Sequence, residues 1–250
     1  MTDRRILRLS GPDTIDFLQG LVTNDMGKLK QGAVYAALLT PQGKYLADFF
    51  LVPDGEAVLL DVADALGEMV VQRLSMYKLR AAVEIDVVPL HLHRGLGAIP
   101  EDGFADPRNP HMGWRAYRET PQTDDKIDWD ALRVTHLVPE TGIELTQDTF
   151  ILEVGFERLN GVDFRKGCYV GQEVTARMKH KTQLRKGLAQ VSVSGAAPVG
   201  SELNAEGKIA GTLFTQSDGK GIAYLRFDRA GGTMKAESAE VAWFGETETN

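Results

Sequence analysis

The N-terminal part of the chain alternates between helical and extended hydrophobic patterns. Apolar residues at helical spacing over 17–22 follow the cap and turn residues 10–13, which predicts a short amphipathic helix. Three apolar, β-prone runs at 33–40, 45–52 and 57–62 are separated by turns that contain Pro and Gly. This spacing predicts an antiparallel meander.

A second helical pattern follows the meander. Residues 63–79 place Leu66, Val70 and Leu74 on one face, which predicts a helix packed across the three strands. Residues 82–88 then return as an extended run. The order helix, strands, helix, strand predicts an α+β fold, in which helices cover one face of an antiparallel sheet.

The hydrophobic pattern changes twice in the rest of the chain. Residues 101–110 are rich in Pro, Gly, Asp and Asn and predict a loop, and a helix is predicted over 127–138. After residue 187, short apolar runs separated by Gly-rich turns predict a small β-barrel or sandwich. The domains that we expect are 1–92, 93–184 and 185–250.

Composition narrows the class of protein. The chain has 250 residues, of which 43% are hydrophobic and 25% charged, as in ordinary globular proteins. No apolar run approaches the roughly 20 residues that span a bilayer, so we expect no membrane partner. The formal charge of -7 disfavours direct nucleic-acid binding, which relies on Lys and Arg. Residues 1–11 lack a signal-peptide layout, so we expect a bacterial cytoplasmic or a mitochondrial matrix protein.

The densest group of unusual residues surrounds the single cysteine, Cys168. Gly167 and Gly171 flank it, so we expect a backbone conformation there that other residues resist. A helix-compatible run begins at residue 172, and Arg165 and Lys166 precede the thiol. Both features favour the thiolate if the sulfur is exposed.

Two other interpretations of Cys168 stay open from the pattern alone. Free cysteines are often buried small hydrophobes, and exposure cannot be read from the sequence. A cysteine hydrolase with His180 as base lacks a third, orienting residue and an oxyanion hole. A single cysteine also excludes an intramolecular disulfide and a self-contained thiolate metal cage.

The motif around Cys168 resembles the signature of the YgfZ/GcvT-like folate-binding family, in its CAF17-like mitochondrial and alphaproteobacterial branch. The matching residues are Lys166, Gly167, Cys168, Tyr169, Gly171, Gln172, Glu173 and Arg177. The resemblance extends to residues 9–25, to 106–115, to 161–164 and to the glycine-rich terminal strands. It implies T-protein-like domains around a folate cleft and a small C-terminal β-barrel. It also implies that the cysteine is functionally essential.

The resemblance implies folate contacts as well. Asp48 lies where T-proteins keep the second of two adjacent aspartates, and Ala47 replaces the first. A carboxylate can accept the paired N–H donors of a pterin, and Arg80 and Arg115 could meet its anionic tail. The implied catalytic residues are Cys168, Lys166 and Asp48. The implied ligand-binding residues are Asp48, Arg80, Arg115, Gln172, Glu173 and Arg177.

Three functions compete at this point. The first is a tetrahydrofolate-binding accessory factor that supports the maturation of iron-sulfur enzymes. Clusters ordinarily take four protein ligands, so a partner, a second copy of the chain or a small thiol would complete the coordination of a transient cluster at Cys168. The partner that we expect is a scaffold or an A-type carrier protein. The second is an aminomethyl- or methyltransferase of the T-protein type that uses Asp48. The third is a folate-dependent helper of tRNA modification.

Overall fold

The computed structural model describes residues 3–123, 126–180 and 184–245. The chain divides into two compact units, of which the first combines Met1–Ile127 with Phe156–Ala176. Its strands are β1 (Arg4–Ser10), β2 (Val34–Leu39), β3 (Tyr45–Asp54), β4 (Ala57–Ala63), β5 (Glu84–Val87), β6 (His91–Gly95), β7 (Phe104–Ala105) and β8 (Trp114–Arg118). Its helices are α1 (Thr14–Gln19) and α2 (Asp64–Lys78), with 3₁₀ helices at Met26–Gln31 and Pro110–Met112.

The main sheet of this unit is antiparallel and has the strand order β2-β3-β4-β1-β5. The predicted meander, both predicted helices and the returning strand are therefore confirmed. Strand β1 was not predicted from the sequence, although it lies between β4 and β5. Its arginines and apolar residues do not alternate strictly, and the burial of Arg4 depends on a partner from another strand, Asp61.

The two faces of this sheet differ in chemistry. One face is apolar, and side chains such as Leu38, Phe49 and Leu60 pack there against α2. Successive side chains of a strand point to opposite faces, so Asp48 and Phe50 on β3 point to the other face. That face carries buried charged and aromatic side chains, which are described with the candidate site.

Strands β6, β8 and β7 form a separate small sheet in that order. The prediction of a continuous loop over 101–110 was wrong in part, because Phe104 and Ala105 pair with Arg115 and Trp114. A strand of two residues carries too little periodicity to be recognised from the pattern. Within the described part of the chain, no helix is long and apolar enough to cross a bilayer.

The second unit combines Asp128–Gly155 with Arg177–Asn250. Helix α3 (Trp129–His136) belongs to it, and helix α4 (Gln172–His180) runs from the first unit into the second. The remaining strands are β9 (Lys186–Ser194), β10 (Ser201–Ala205), β11 (Lys208–Ser217), β12 (Lys220–Arg226), β13 (Met234–Ala236) and β14 (Ala239–Ala242). They close into a barrel in the order β10-β11-β12-β9-β14-β13, which confirms the predicted α+β class with a C-terminal barrel.

The compact units do not follow the predicted boundaries at residues 92 and 184. Residues 93–127 and 156–176 belong to the first unit, whereas 128–155 belong to the barrel unit. The division of the chain into three domains stays a prediction.

Candidate functional site

Cys168 is exposed on a loop, residues 164–171, which we call the cysteine loop. The two side chains on either side of its tip point inward: Lys166 is 6% exposed and Tyr169 is 7% exposed. The Lys166 ammonium donates to Gln19 O at 2.6 Å and to Val22 O. It also lies 5.0 Å from the centre of the Tyr169 ring. The loop is thus anchored at both sides of a thiol that faces solvent.

Lys166 is an anchor of this loop. Its ammonium lies at the C-terminal end of α1, where a positive charge and backbone carbonyls attract each other. Burial lowers the pKa of Lys166 to about 8, although Asp25 and Asp163 act in the opposite direction. Its N–H groups donate to backbone carbonyls, and these bonds hold the cysteine loop in position. The catalytic role that the motif implied for Lys166 stays a prediction.

The two glycines beside Cys168 differ in their need for glycine. Gly171 has φ +85°, and a Cβ added there would lie 2.6 Å from Thr40 O. The turn opposite is equally close, because a Cβ on Gly43 would lie 2.8 Å from Val174 Cβ. By contrast, a Cβ on Gly167 would meet no atom within 4 Å, and its φ is not in the left-handed region. The expectation of a special backbone is confirmed at Gly171 and wrong at Gly167.

The base of the cysteine loop is joined to Thr23 and Asn24. Thr23 Oγ1 donates to Gly161 O at 2.6 Å, and Thr23 O accepts from Asp163 N at 3.0 Å. The Asn24 amide donates to Tyr35 O at 2.7 Å and to Asn160 O at 2.6 Å. These bonds connect the loop to edge strand β2. The sequence showed that residues 23–25 lie in a segment that resembles the family. It did not show that this segment holds the cysteine loop in place.

Asp163 joins Lys28 to the backbone of the cysteine loop. Its carboxylate pairs with Lys28 Nζ at 2.7 Å and accepts from the backbone N–H of Arg165 at 2.8 Å. Burial raises the pKa of Asp163, but the hydrogen bond from Lys28 and the other donors outweigh it and lower the pKa. The carboxylate is therefore held in its charged form, next to Lys166.

Asp48 is buried on the charged face of the sheet, with 4% exposure. Its Oδ2 accepts from Tyr35 Oη at 2.9 Å and its Oδ1 accepts from Tyr45 Oη at 2.6 Å. Burial, followed by the charge of Asp48, raises the pKa of Tyr35. Val170 of the cysteine loop packs with the opposite, apolar face. The structure thus places Asp48 on the charged face, whereas Val170, two residues after Cys168, packs on the apolar one. The ligand contact and catalytic role implied for Asp48 stay predictions.

Arg115 lies in an ionic cluster on the charged face. Its guanidinium, in a residue that is 3% exposed, binds Asp61 Oδ2 and lies 3.5 Å from Asp106 Oδ2. Asp61 also pairs with Arg4 at 2.6 Å. Burial would raise the pKa of Asp61, but Arg4 and Arg115 lower it to about 2. Arg115 therefore binds carboxylates of its own unit, and the ligand contact that the resemblance implied for it stays a prediction.

The ionic cluster is completed by Arg108 and an aromatic ring. Arg108 makes a bidentate pair with Asp106, with distances of 3.0 and 2.8 Å. The Phe50 ring lies under the guanidinium groups of Arg115 and Arg108, at 3.6 and 4.8 Å. The sequence analysis missed Asp61, although a charge within an apolar strand is uncommon unless it is paired or faces a ligand.

The remaining predicted residues lie at the surface. Arg80 is exposed beyond the end of α2. Gln172 and Glu173 begin α4 within the first unit and are half-buried and exposed, respectively. Arg177 is exposed on α4 and belongs to the second unit. Their predicted ligand contacts stay predictions.

A pocket of about 360 Å³ opens beside edge strand β2. Its wall includes Tyr35 and Pro107, and its polar side chains include Asn24, Lys28 and Asn160. It therefore shares Asn24, Lys28 and Asn160 with the network that supports the cysteine loop. As for metals, residues 3–123, 126–180 and 184–245 contain no group of three His, Cys, Asp or Glu side chains that could hold an ion.

Comparisons with known proteins support the architecture. A family model described as CAF17, C-terminal beta-barrel domain, matches residues 185–246. The chain is also similar to the crystal structure of glycine cleavage system aminomethyltransferase T from Bartonella henselae, with a TM-score of 0.74 over 96% of this chain and 83% of that one. At 14% identity, this similarity establishes the fold alone.

Sequence relatives carry one shared description. The chain is 32% identical to the iron-sulfur cluster assembly factor IBA57 homolog, mitochondrial, of Mycosarcoma maydis, over 79% of this chain and 58% of the relative. It is 29% and 28% identical to the mitochondrial IBA57 proteins of Mus musculus and Homo sapiens, over 95% and 96% of this chain. It spans little more than half of the fungal relative's length and 79% and 80% of the two mammalian relatives' lengths.

Proposed function

Because the chain belongs to the CAF17/IBA57-like family of proteins with the aminomethyltransferase T fold, we propose that it is an accessory factor for iron-sulfur cluster assembly. The relatives named above are described as assembly factors, and the role is transferred from them to this chain. We expect it to act where such clusters are built, in the mitochondrial matrix of a eukaryote or the cytoplasm of a bacterium.

The observation that carries the proposal is the exposed thiol of Cys168 on an anchored loop. Lys166 and Tyr169 fix the loop from inside, while Gly171 allows close contact with the turn that follows β2. A thiol held in one place loses less conformational entropy on forming a bond than a thiol on a loose segment. Cys168 is therefore suited to act as a ligand that is offered to an incoming cluster.

The cluster is a substrate of this site, and it must be shared. Iron-sulfur clusters ordinarily take four protein ligands, and the chain contains one cysteine. The remaining ligands therefore come from another molecule. We propose an A-type carrier or a scaffold protein as that partner and iron-sulfur enzymes as the clients.

A complementation experiment tests the role of Cys168. In a strain that lacks the protein, Cys168→Ser should fail to restore the activity of iron-sulfur enzymes. Gly167→Ala is the matched control, because it changes the neighbouring residue at a position with free space around it. Full rescue by Cys168→Ser would refute the proposal.

A reconstitution experiment tests the shared cluster directly. The protein, a candidate carrier, iron and sulfide are combined, and cluster formation is followed by visible absorption. We expect a stable absorbing complex with the wild type and none with Cys168→Ser. A cluster that forms equally well with both proteins would exclude Cys168 as a ligand.

We also propose that the pocket beside β2 binds tetrahydrofolate or a derivative. Its volume of about 360 Å³ lies in the range of small-molecule sites. Asp48 does not offer a free carboxylate to a pterin, so in this proposal it acts through Tyr35, which lines the pocket. Calorimetric titration with 5-formyltetrahydrofolate tests the proposal, and absence of binding at millimolar concentration would contradict it.

A further inference from the structure

The pocket beside β2 and the cysteine loop share a lysine. Lys28 lines the pocket, and its ammonium donates to Asn24 Oδ1 at 2.9 Å and pairs with Asp163 Oδ2 at 2.7 Å. A lysine ammonium has three N–H donors. Among the residues that the structure describes, these two acceptors account for two of them. The side chain is 42% exposed, so the third donor is accessible to a ligand.

Besides Asn24 and Gln31, Asn160 is a polar neutral residue of the wall. Asn160 adopts φ +53°, a left-handed backbone conformation that asparagine tolerates better than most residues. Its amide nitrogen donates to Pro107 O at 3.0 Å, and its backbone carbonyl accepts from Asn24. These bonds fix the side chain at the pocket wall, where its amide oxygen can accept a hydrogen bond. The pocket therefore combines a cationic donor with a neutral acceptor.

We propose that this pocket binds a small molecule through a carboxylate held by Lys28, and that the bound ligand tightens the base of the cysteine loop. The bound carboxylate takes the third N–H of Lys28 and holds the ammonium between itself and Asp163. Asp163 in turn holds the N–H of Arg165, the residue before Lys166. Occupancy of the pocket is thus transmitted to the segment that carries Cys168.

This inference deepens the proposed function, because its importance rests on Cys168 as the functional thiol. The ligand chemistry has two sources, a free dicarboxylate or the glutamyl tail of a folate. Four probes separate them: glutarate, 4-aminobenzoyl-glutamate, 6-methylpterin, which carries no carboxylate, and 5-formyltetrahydrofolate. Binding of all but 6-methylpterin would support a general carboxylate site. Binding of the two glutamyl compounds alone would identify a site for the folate tail.

Calorimetry with matched lysine variants tests the contact. Lys28→Gln should weaken binding about tenfold or more, since a hydrogen bond to a charged group is lost. Lys30→Gln is the control, because Lys30 lies on the same 3₁₀ helix, is exposed and does not line the pocket. Equal affinity of the wild type and Lys28→Gln, or 6-methylpterin binding as tightly as the glutamyl compounds, would overturn the assignment.

Hydrogen exchange tests the coupling to the cysteine loop. A bound probe should slow exchange several-fold at the N–H groups of Asp163 and Arg165, in the wild type and in Lys30→Gln but not in Lys28→Gln. Binding without any change at these amides would overturn the coupling. Cys168→Ser should bind the probe like the wild type, so that failure of the cluster-assembly proposal would be distinguishable from failure of this one.

Discussion

At the scale of single residues, the site depends on how each member of one short motif is oriented. Lys166 and Tyr169 point inward and hold the loop, while Cys168 faces solvent. The sequence could show that these residues occur together, and it correctly placed the cysteine ahead of the helix that begins at Gln172. It could not show orientation, because the loop has no periodicity from which burial can be inferred.

The contrast between the two loop glycines gives the first prediction. Gly171→Ala should destabilise the protein by about 2 kcal/mol or more, because the residue has φ +85° and its new Cβ would lie 2.6 Å from a backbone oxygen. Gly167→Ala should change stability by less than about 1 kcal/mol. Urea unfolding curves measure both, and equal effects of the two substitutions would contradict the geometry described above.

At the scale of elements, the main sheet is unusual in its buried charges. Asp61 on β4 joins Arg4 on β1 to Arg115 on β8, so three strands depend on one carboxylate. In the first unit, periodicity predicted β2, β3, β4 and β5, where apolar runs are separated by turns. It did not predict β1, β6, β7 or β8; Arg4 of β1 depends on an ion pair, and β7 on a pairing of two residues, that local patterns do not reveal.

Removal of the Asp61 charge gives the second prediction. Asp61→Asn should cost about 3 to 5 kcal/mol, because Arg4 and Arg115 would lose their buried partner. Arg8→Gln is the control and should cost less than about 1 kcal/mol, since the Arg8–Asp54 pair has side-chain exposures of 50% and 38%. Thermal or urea unfolding at neutral pH compares them, and similar costs would mean that the buried pair is not stabilising.

At low pH, the wild type and Asp61→Asn should become similar in stability. The folded-state pKa of Asp61 is about 2, below its ordinary value of 3.8. A lowered folded-state pKa contributes stability above the ordinary value, and that contribution is lost as the pH falls from about 4 towards 2. The stability gap between the wild type and Asp61→Asn should therefore narrow over this interval, and a constant gap would argue against the paired carboxylate.

At the scale of the whole molecule, the barrel matched by the family model is not a complete structural unit. Residues 128–155 supply buried partners to it: Arg133 donates to Thr215 Oγ1 at 2.9 Å, and Glu144 accepts from the same hydroxyl at 2.6 Å. Glu153 accepts from Tyr224 Oη at 2.6 Å. The sequence placed a boundary near residue 185, and the family model begins there too. Neither pattern shows that an earlier segment completes the barrel.

This arrangement gives the third prediction. A fragment of residues 185–250 should melt with less cooperativity and at lower temperature than the barrel within the whole chain, because polar groups of β11 and β12 lose their partners. Thermal melts of the fragment and of a whole chain with Trp114→Phe and Trp129→Phe, both followed by the fluorescence of Trp243, measure this. A fragment as stable as the intact barrel would show that 128–155 is dispensable.

The bond between Thr23 and Gly161 spans 138 positions in sequence. A ribosome adds about 5 to 20 residues per second, so the nascent chain exposes its first sheet for roughly ten seconds before this partner emerges. The segment that carries the thiol is therefore synthesised late, and its contacts with Thr23 form only after most of the first sheet has been made. Incompletely synthesised chains should need chaperone protection during that interval, and premature termination before residue 161 should leave an aggregation-prone remnant.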